Sequence, residues 1–204
     1  MTIWTDEGGT DEAAERAFFE QMRGCRDAYR RLGDAIFSLA LPVRTALDIG
    51  CGVGDATERL SELGWDIAAA EYSAIARSMM GERIRLRATE LDLSLPLRGS
   101  VVTYDAVICT ETAEHLPVGC ADYIVDHVAK RSAKWVIWSA AQPVQNWAGH
   151  INLQCPSYWL DKFAGHGFRL CLRLSAHLRD EMKRRHAQHE YCASNFHVLQ
   201  RRIP

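Results

Sequence analysis

The run Ala46-Leu47-Asp48-Ile49-Gly50-Cys51-Gly52-Val53-Gly54-Asp55 is an apolar strand that feeds directly into three glycines at alternate positions. Glycine lets the backbone take positive φ and approach a ligand that a Cβ would hold off. The stretch therefore predicts a strand, a tight ligand-cradling turn and a helix in immediate succession. The spacing departs from the dinucleotide fingerprint G-x-G-x-x-G, in which a pyrophosphate sits over the helix N-terminus. Here Asp48 stands two residues before Gly50, and Asp55 follows Gly54 directly. Carboxylates on both sides of the turn repel a pyrophosphate and suit a ligand that carries an ammonium or sulfonium group.

An acidic residue followed by G-x-G-x-G resembles the first motif of the class I S-adenosylmethionine-dependent methyltransferases. Three later segments resemble that family's further motifs in the same order. Asp66-Ile67-Ala68-Ala69-Ala70-Glu71-Tyr72 reads as a buried strand ending in a carboxylate. Glu71 lies about 20 residues past the turn, where a Rossmann-like sheet places its ribose-binding acid. In Glu90-Leu91-Asp92-Leu93 the family's pattern sets an acid on the adenine amino group and the next backbone N–H on the ring; Asp92 with Leu93 fits best, and Glu90 stays open. The segment from Tyr104 to Pro117, with Thr110-Glu111-Thr112-Ala113-Glu114-His115-Leu116-Pro117 at its end, resembles the fourth motif. The resemblance thus implies S-adenosylmethionine held by Asp48, Gly50, Gly52, Gly54, Glu71, Tyr72, Asp92, Leu93 and Glu111.

The rest of the chain repeats a strand and helix alternation that signals parallel βαβ units. Strands are expected near Thr45, Ile67, Arg85 (Ile84 to Ala88), Val107, Trp135 to Ser139, Phe168 to Leu172 and Asn195 to Gln200. Helices are expected from Asp55, Ser73, Cys120, Pro156 and Ser175. The fold class is α/β, a doubly wound, mostly parallel sheet; the resemblance, which spans Ala46 to Arg201, implies seven strands with the last one antiparallel between its two predecessors. Ahead of this, Ala14, Phe18, Met22, Cys25, Tyr29, Leu32 and Ile36 recur at helical steps of four and three, with Gly24 and Gly33 as breaks. Residues 1–40 are accordingly expected to form a helical lid, carried by Phe18, Phe19, Met22 and Tyr29, over a cofactor-binding domain of residues 41–204.

A chain of 204 residues, 48% hydrophobic, is sized for one well-buried domain. Its net charge of -2 gives no general attraction to nucleic acid or anionic lipid. The acidic Met1 to Asp11 segment has no signal-peptide core, and no apolar stretch approaches the roughly 20 residues needed to span a bilayer, so a cytoplasmic setting is expected. Seven cysteines without a C-x-x-C pair argue for reduced thiols. His186 and His189 have a spacing that could clasp a metal, yet no ligand partner accompanies them beyond Glu190, and no metal is assigned.

Methyl transfer is an in-line displacement, so the protein must align a nucleophile with the S-methyl bond and remove any proton it carries. In sheets of this kind the acceptor lies at the carboxyl ends of the strands. There Gly149-His150-Ile151-Asn152-Leu153-Gln154-Cys155-Pro156-Ser157-Tyr158-Trp159 resembles a segment found in a subset of small methyltransferases. If extended, it points His150, Asn152 and Gln154 the same way. His150 as base, Glu114 as its orienting carboxylate and Asn152 form the expected catalytic set. The alternative is a divalent cation on Glu111, Glu114, His115 and His150, a spacing that resembles metal-dependent small-RNA and ubiquinone-pathway O-methyltransferases. Three functions remain open at this level. They are methylation of a small molecule, favoured by the lid; methylation of nucleic acid or protein; and a non-methylating use of S-adenosylmethionine, such as cyclisation of its aminobutyryl arm. The sequence leaves the oligomeric state unassigned.

Overall fold

Seven strands build one sheet in a computed structural model whose description covers residues 11–187 and 190–202. They are β1 (Thr45–Ile49), β2 (Asp66–Ala70), β3 (Ala88–Thr89), β4 (Tyr104–Thr110), β5 (Ser132–Ser139), β6 (Phe168–Leu170) and β7 (His197–Arg201). The spatial order is β3-β2-β1-β4-β5-β7-β6. β1 to β5 run parallel, whereas β7 runs antiparallel between β5 and β6. This is the doubly wound arrangement that the motif order implied.

Two-residue alternation divides the strands between two cores. Ala46, Ala106, Ile108, Trp135, Ile137 and Val198 face one layer, formed by α2 (Arg26–Phe37), α3 (Asp55–Glu62) and α8 (Leu172–Arg185). Leu47, Val107, Cys109, Val136, Trp138 and Leu199 face the other, formed by α6 (Ala121–Arg131) and α7 (Pro156–Gly165). Both faces of the central strands are covered, which is why β4 and β5 read as near-continuous apolar runs.

The amino-terminal helices sit against the carboxyl end of the sheet. α1 (Glu12–Gly24) is capped by Asp11, whose Oδ1 accepts from the Ala13 and Ala14 amides at 3.0 and 3.1 Å. Phe19 is its buried anchor, packed with Val53 and Ala76 beside the glycine turn. The chain turns at Cys25 into α2, so Gly24 does mark a break. Gly33 does not. It lies inside α2, where a Cβ would stand 2.9 Å from Arg59 Cβ and 3.0 Å from the Ala56 carbonyl, so it permits close approach of α2 to α3.

Three expectations need correction. The strand expected over Ile84 to Ala88 is instead the short helix α5 (Glu82–Arg85) followed by a two-residue strand. The Ile84 and Arg85 amides close a turn on the Gly81 carbonyl; Ile84 is buried and Leu86 exposed, so the alternation there belongs to a helical turn. The helix expected from Ser175 starts at Leu172. Asn195 ends a 3₁₀ turn (Glu190–Asn195), and the last strand begins at His197. α4 (Ala74–Met79) follows its Ser73 cap as expected. Residues 1–10 of the expected lid, and His189 of the histidine pair, lie outside the described residues.

Candidate active site

The carboxyl ends of β1, β2 and β4, with the inner face of α1, enclose a cavity of about 620 Å³. Gly50 and Gly52 hold φ of +69° and +56° at its floor. A Cβ on Gly50 would collide with Thr112, and one on Gly52 would come within 2.8 Å of Met22 Cε. The turn is therefore shut to side chains from both directions. Gly54, φ +80°, caps α3 and does not line the cavity.

Acids brace this floor. Glu71, 3% exposed at the end of β2, accepts from the Gly52 amide through Oε2 and from the Ser73 amide through Oε1, both at 2.9 Å. A carboxylate has about four acceptor positions. Its backbone contacts fix the group's orientation at the cavity wall. Asp92 Oδ1 accepts from the Ser94 amide at 2.8 Å and the Ser94 hydroxyl at 2.6 Å. Glu90 turns away and pairs with Arg77 at 2.8 Å, so of the two acids only Asp92 lines the cavity. Asp48 accepts from the Thr57 hydroxyl at 2.6 Å, tying the end of β1 to α3. Burial pushes the Asp48 carboxyl up to about 7 against the opposing Thr57 hydrogen bond. Tyr72 and Leu93 complete this wall.

The other half of the cavity is built differently. Glu111, just past β4, adopts φ +49°, an uncommon backbone state for a residue with a side chain. Its amide donates to Ser139, and its carboxylate accepts from Asn195 Nδ2 at 3.2 and 3.3 Å. Glu114 follows on a 3₁₀ turn (Ala113–His115), fully buried, with neither carboxylate oxygen hydrogen bonded. Burial, together with the nearby Glu111 charge, pushes the Glu114 carboxyl well above the usual carboxylate range. His115 Nδ1 lies 2.9 Å from the Gly149 carbonyl and His150 Nδ1 lies 2.7 Å from the Gln145 carbonyl. A carbonyl only accepts, so each Nδ1 bears the hydrogen and each Nε2 offers a lone pair. Burial lowers both imidazoles, His115 to about 4, so both are neutral at pH 7. Their rings meet edge to face at 4.9 Å. One oxygen of Glu114 and one nitrogen of each imidazole lie within 4.8 Å of one another.

The loop bearing His150 is fastened by Glu114 itself, whose backbone carbonyl accepts from the Ile151 and Asn152 amides at 2.8 and 3.0 Å. The loop is not the extended strip expected. Asn152, 1% exposed, turns its amide toward the Ala113 carbonyl and accepts from Gln154, and it does not line the cavity. Its place is behind the turn, where the backbone needs a donor. Two residues went unnoticed in the sequence. Asn195 bridges Glu111 and Gln145, donating to Gln145 Oε1 at 2.9 Å, and accepts from Gln142 at 2.9 Å. Trp147 lines the cavity beside His150, ring centroids 5.3 Å apart. Trp147 lies outside any patterned segment, and Asn195 was read only as the start of the last strand, so periodicity carried no signal for the role of either.

The glycine turn, the ribose-height acid and the strand order together define a class I S-adenosylmethionine site. The sequence profile of a family described as a methyltransferase domain matches residues 18–172. The chain belongs to that family and is an S-adenosylmethionine-dependent methyltransferase. A sequence search of curated proteins finds no match. Among solved structures, DesVI of Streptomyces venezuelae is similar at TM-score 0.64 and 15% identity, with 96% of this chain and 100% of that one covered. A TehB-like S-adenosylmethionine-dependent methyltransferase of Corynebacterium glutamicum gives 0.61 at 16% identity, covering 79% and 86%. The magnesium protoporphyrin IX methyltransferase of Synechocystis, solved with S-adenosylhomocysteine bound, gives 0.59 at 16% identity, covering 98% and 91%. At these identities the likeness is one of fold. Among the described residues, no helix is long and apolar enough to cross a membrane.

Proposed function

We propose that this enzyme methylates a small-molecule acceptor, with His150 removing the proton from the acceptor's nucleophile. The observation that carries the reading is the roof of the cavity: Phe18, Phe19 and Met22 of α1 and Tyr29 of α2 close over the site, which suits a small guest and excludes water. In this reading residues 1–40 are the lid and 41–204 the catalytic domain. The Synechocystis neighbour, named for its action on magnesium protoporphyrin IX, is in keeping with a compact acceptor. A net charge of -2 speaks against nucleic acid, and seven free cysteines accord with a cytoplasmic setting.

Asp48, Gly50, Gly52, Glu71, Tyr72, Asp92 and Leu93 hold the cofactor, with Glu71 on the ribose, Asp92 on the adenine amino group and Glu111 near the sulfonium end. His150 Nε2 takes the proton as the nucleophile attacks the S-methyl carbon; the sulfur keeps the bonding pair and leaves as S-adenosylhomocysteine. Glu114 stabilises the imidazolium that forms. Asn152 has no part in this chemistry, because it lies outside the cavity.

One observation favours a second reading. A fully buried carboxylate without a partner, beside two imidazoles each locked by a backbone carbonyl, is also a ligand set for a divalent cation. A cation on Glu114, His115 and His150 would lower the acidity barrier of an oxygen nucleophile, and His150 would then be a ligand. Incubation with methyl-labelled cofactor and fractionated extract identifies a productive fraction. On that fraction His150→Ala is expected to keep S-adenosylhomocysteine affinity and lose about 10² to 10⁴ in turnover. Full activity in the variant removes the base. Loss of wild-type activity on chelation, with recovery on adding Mg²⁺ or Mn²⁺, replaces the base with the metal.

A further inference from the structure

The want of a lysine or arginine in the described lining of the cavity restricts the acceptor more than its shape does. Asp48, Asp55, Glu71, Asp92, Glu111 and Glu114 line it, and among the described residues no lysine or arginine does. The undescribed residues contain none either, so all 24 basic side chains of the sequence lie elsewhere. Arg26 pairs with Asp55 and Glu58, and Arg77 with Glu90, and neither guanidinium lines the cavity. Each imidazole has its Nδ1 at a backbone carbonyl, which only accepts, so Nδ1 carries the hydrogen and Nε2 is left to accept.

A phosphate or carboxylate carried into this half of the site would lose its hydration and meet no lysine or arginine among the described residues of the lining. A donor group fares better. A hydroxyl or ammonium finds a bare oxygen of Glu114 grouped within 4.8 Å with one nitrogen each of His115 and His150. The lining also carries the aromatic side chains Phe18, Tyr29 and Trp147, and the loop of His150 bears the exposed apolar residues Trp147 and Ile151. Such walls stack on flat apolar surfaces and attract cations through their ring faces.

We infer that the acceptor is a flat, largely apolar hydroxy or amino compound that bears no anionic group, its donor aimed at Glu114 and its ring against Trp147. The inference rests on this cavity being the acceptor site and holds whether His150 acts as base or as ligand, since a cation at Glu114 can engage the nucleophile itself but gives no partner to an acidic arm elsewhere on the acceptor. Nucleotide-linked and carrier-thioester acceptors are excluded by the same reasoning.

Tyramine, tyrosol and 4-hydroxyphenylacetate share a phenol and a two-carbon arm and differ in the charge at its end. Their binding to the full-length protein saturated with S-adenosylhomocysteine is measured by calorimetry, once with chelator and once with Mn²⁺. Tyramine and tyrosol are expected to bind in both conditions, and 4-hydroxyphenylacetate about tenfold or more weaker, the scale of an unpaired buried charge-bearing group. Trp147→Ala should weaken the two binding probes and leave S-adenosylhomocysteine unaffected. Ala148→Arg, which sets a guanidinium at an exposed point of the cavity lining, should raise 4-hydroxyphenylacetate affinity several-fold. Equal or tighter binding of 4-hydroxyphenylacetate by the wild type overturns the charge rule. Failure of all three probes while S-adenosylhomocysteine binds overturns the flat-ring class. Probe binding that ignores Trp147→Ala fails the parent reading instead, because the probes then sit outside the assumed acceptor site.

Discussion

The two halves of the cavity are made of the same residue types and solve opposite problems. On the cofactor side, Glu71 and Asp92 each accept two hydrogen bonds from neighbours within two residues or from the adjoining turn, and Asp48 accepts one from Thr57. On the acceptor side, Glu114 is as buried as any of them and accepts none. The first half is held rigid before any ligand arrives. The second keeps a carboxylate and two lone pairs in reserve, and their partners must come from what binds. Orphaned buried polar groups are rare and costly, so a carboxyl with both oxygens unpartnered at this wall points to the place where a ligand's donor fits.

The contrast breaks most completely at Gly52. A β-branched side chain there faces both the positive φ and the Met22 contact, so Gly52→Val is expected to abolish S-adenosylhomocysteine binding by calorimetry. Retained affinity would show that the turn is not the cofactor floor. Next in size is Glu71→Ala, with an expected loss of roughly 2 to 3 kcal/mol in cofactor binding, the range for charge-assisted hydrogen bonds, and with Asp92→Asn losing less because an amide oxygen still accepts. If the order is reversed, the ribose and adenine assignments must be exchanged.

The acceptor half is sharpened by Asn195. Asn195→Ala removes the hydrogen bonds that tie Gln142, Gln145 and Glu111 together and should cost about 1 to 3 kcal/mol in denaturant unfolding. Asn195→Asp should cost more, since it sets a second carboxylate against Glu111. A milder aspartate would mean that Glu111 is protonated in the folded chain. The smallest effect is a slope. Asp48 titrates near 7 when folded, against an ordinary 3.8, so between those values the folded chain holds a proton the unfolded chain has lost, and stability falls as pH rises. His115, held down to about 4 from 6.5, works in the opposite sense: the unfolded chain takes the proton, and stability rises with pH across the same window. Asp48→Asn removes only the first contribution. Its stability should therefore climb more steeply from pH 4 to 6.5 than that of the wild type and exceed it above pH 7. Parallel curves would return the Asp48 carboxyl to its ordinary value.

Much of the cofactor half was legible in the chain because each part is local: a strand, a turn and its bracing acid occupy short windows whose spacing is set by backbone geometry. The Arg83 to Arg87 segment defeated that reading, since alternating arginine and aliphatic residues satisfy a helical turn as well as a strand, and Gly81 decides between them by accepting two turn hydrogen bonds. The alternation of His150, Asn152 and Gln154 misled in the same way: pairing of the loop backbone with Glu114 outweighed the tendency to extend.

The sequence alone determined the alternation of strands and helices and the glycine turn, because periodicity and close spacing act over a few residues, while the resemblance carried the strand order and proposed the acids for the cofactor. Only the tertiary structure decided that, among the described residues, the Glu114 carboxyl has no hydrogen-bond partner, that a nitrogen of His115 and one of His150 come within 4.8 Å of it, that Asn195 reaches Glu111 from the 3₁₀ turn ahead of the last strand, and that no lysine or arginine lines the cavity. Those facts depend on which distant segments the sheet brings to one end, and a buried group's partners, or lack of them, exist only once those segments have met.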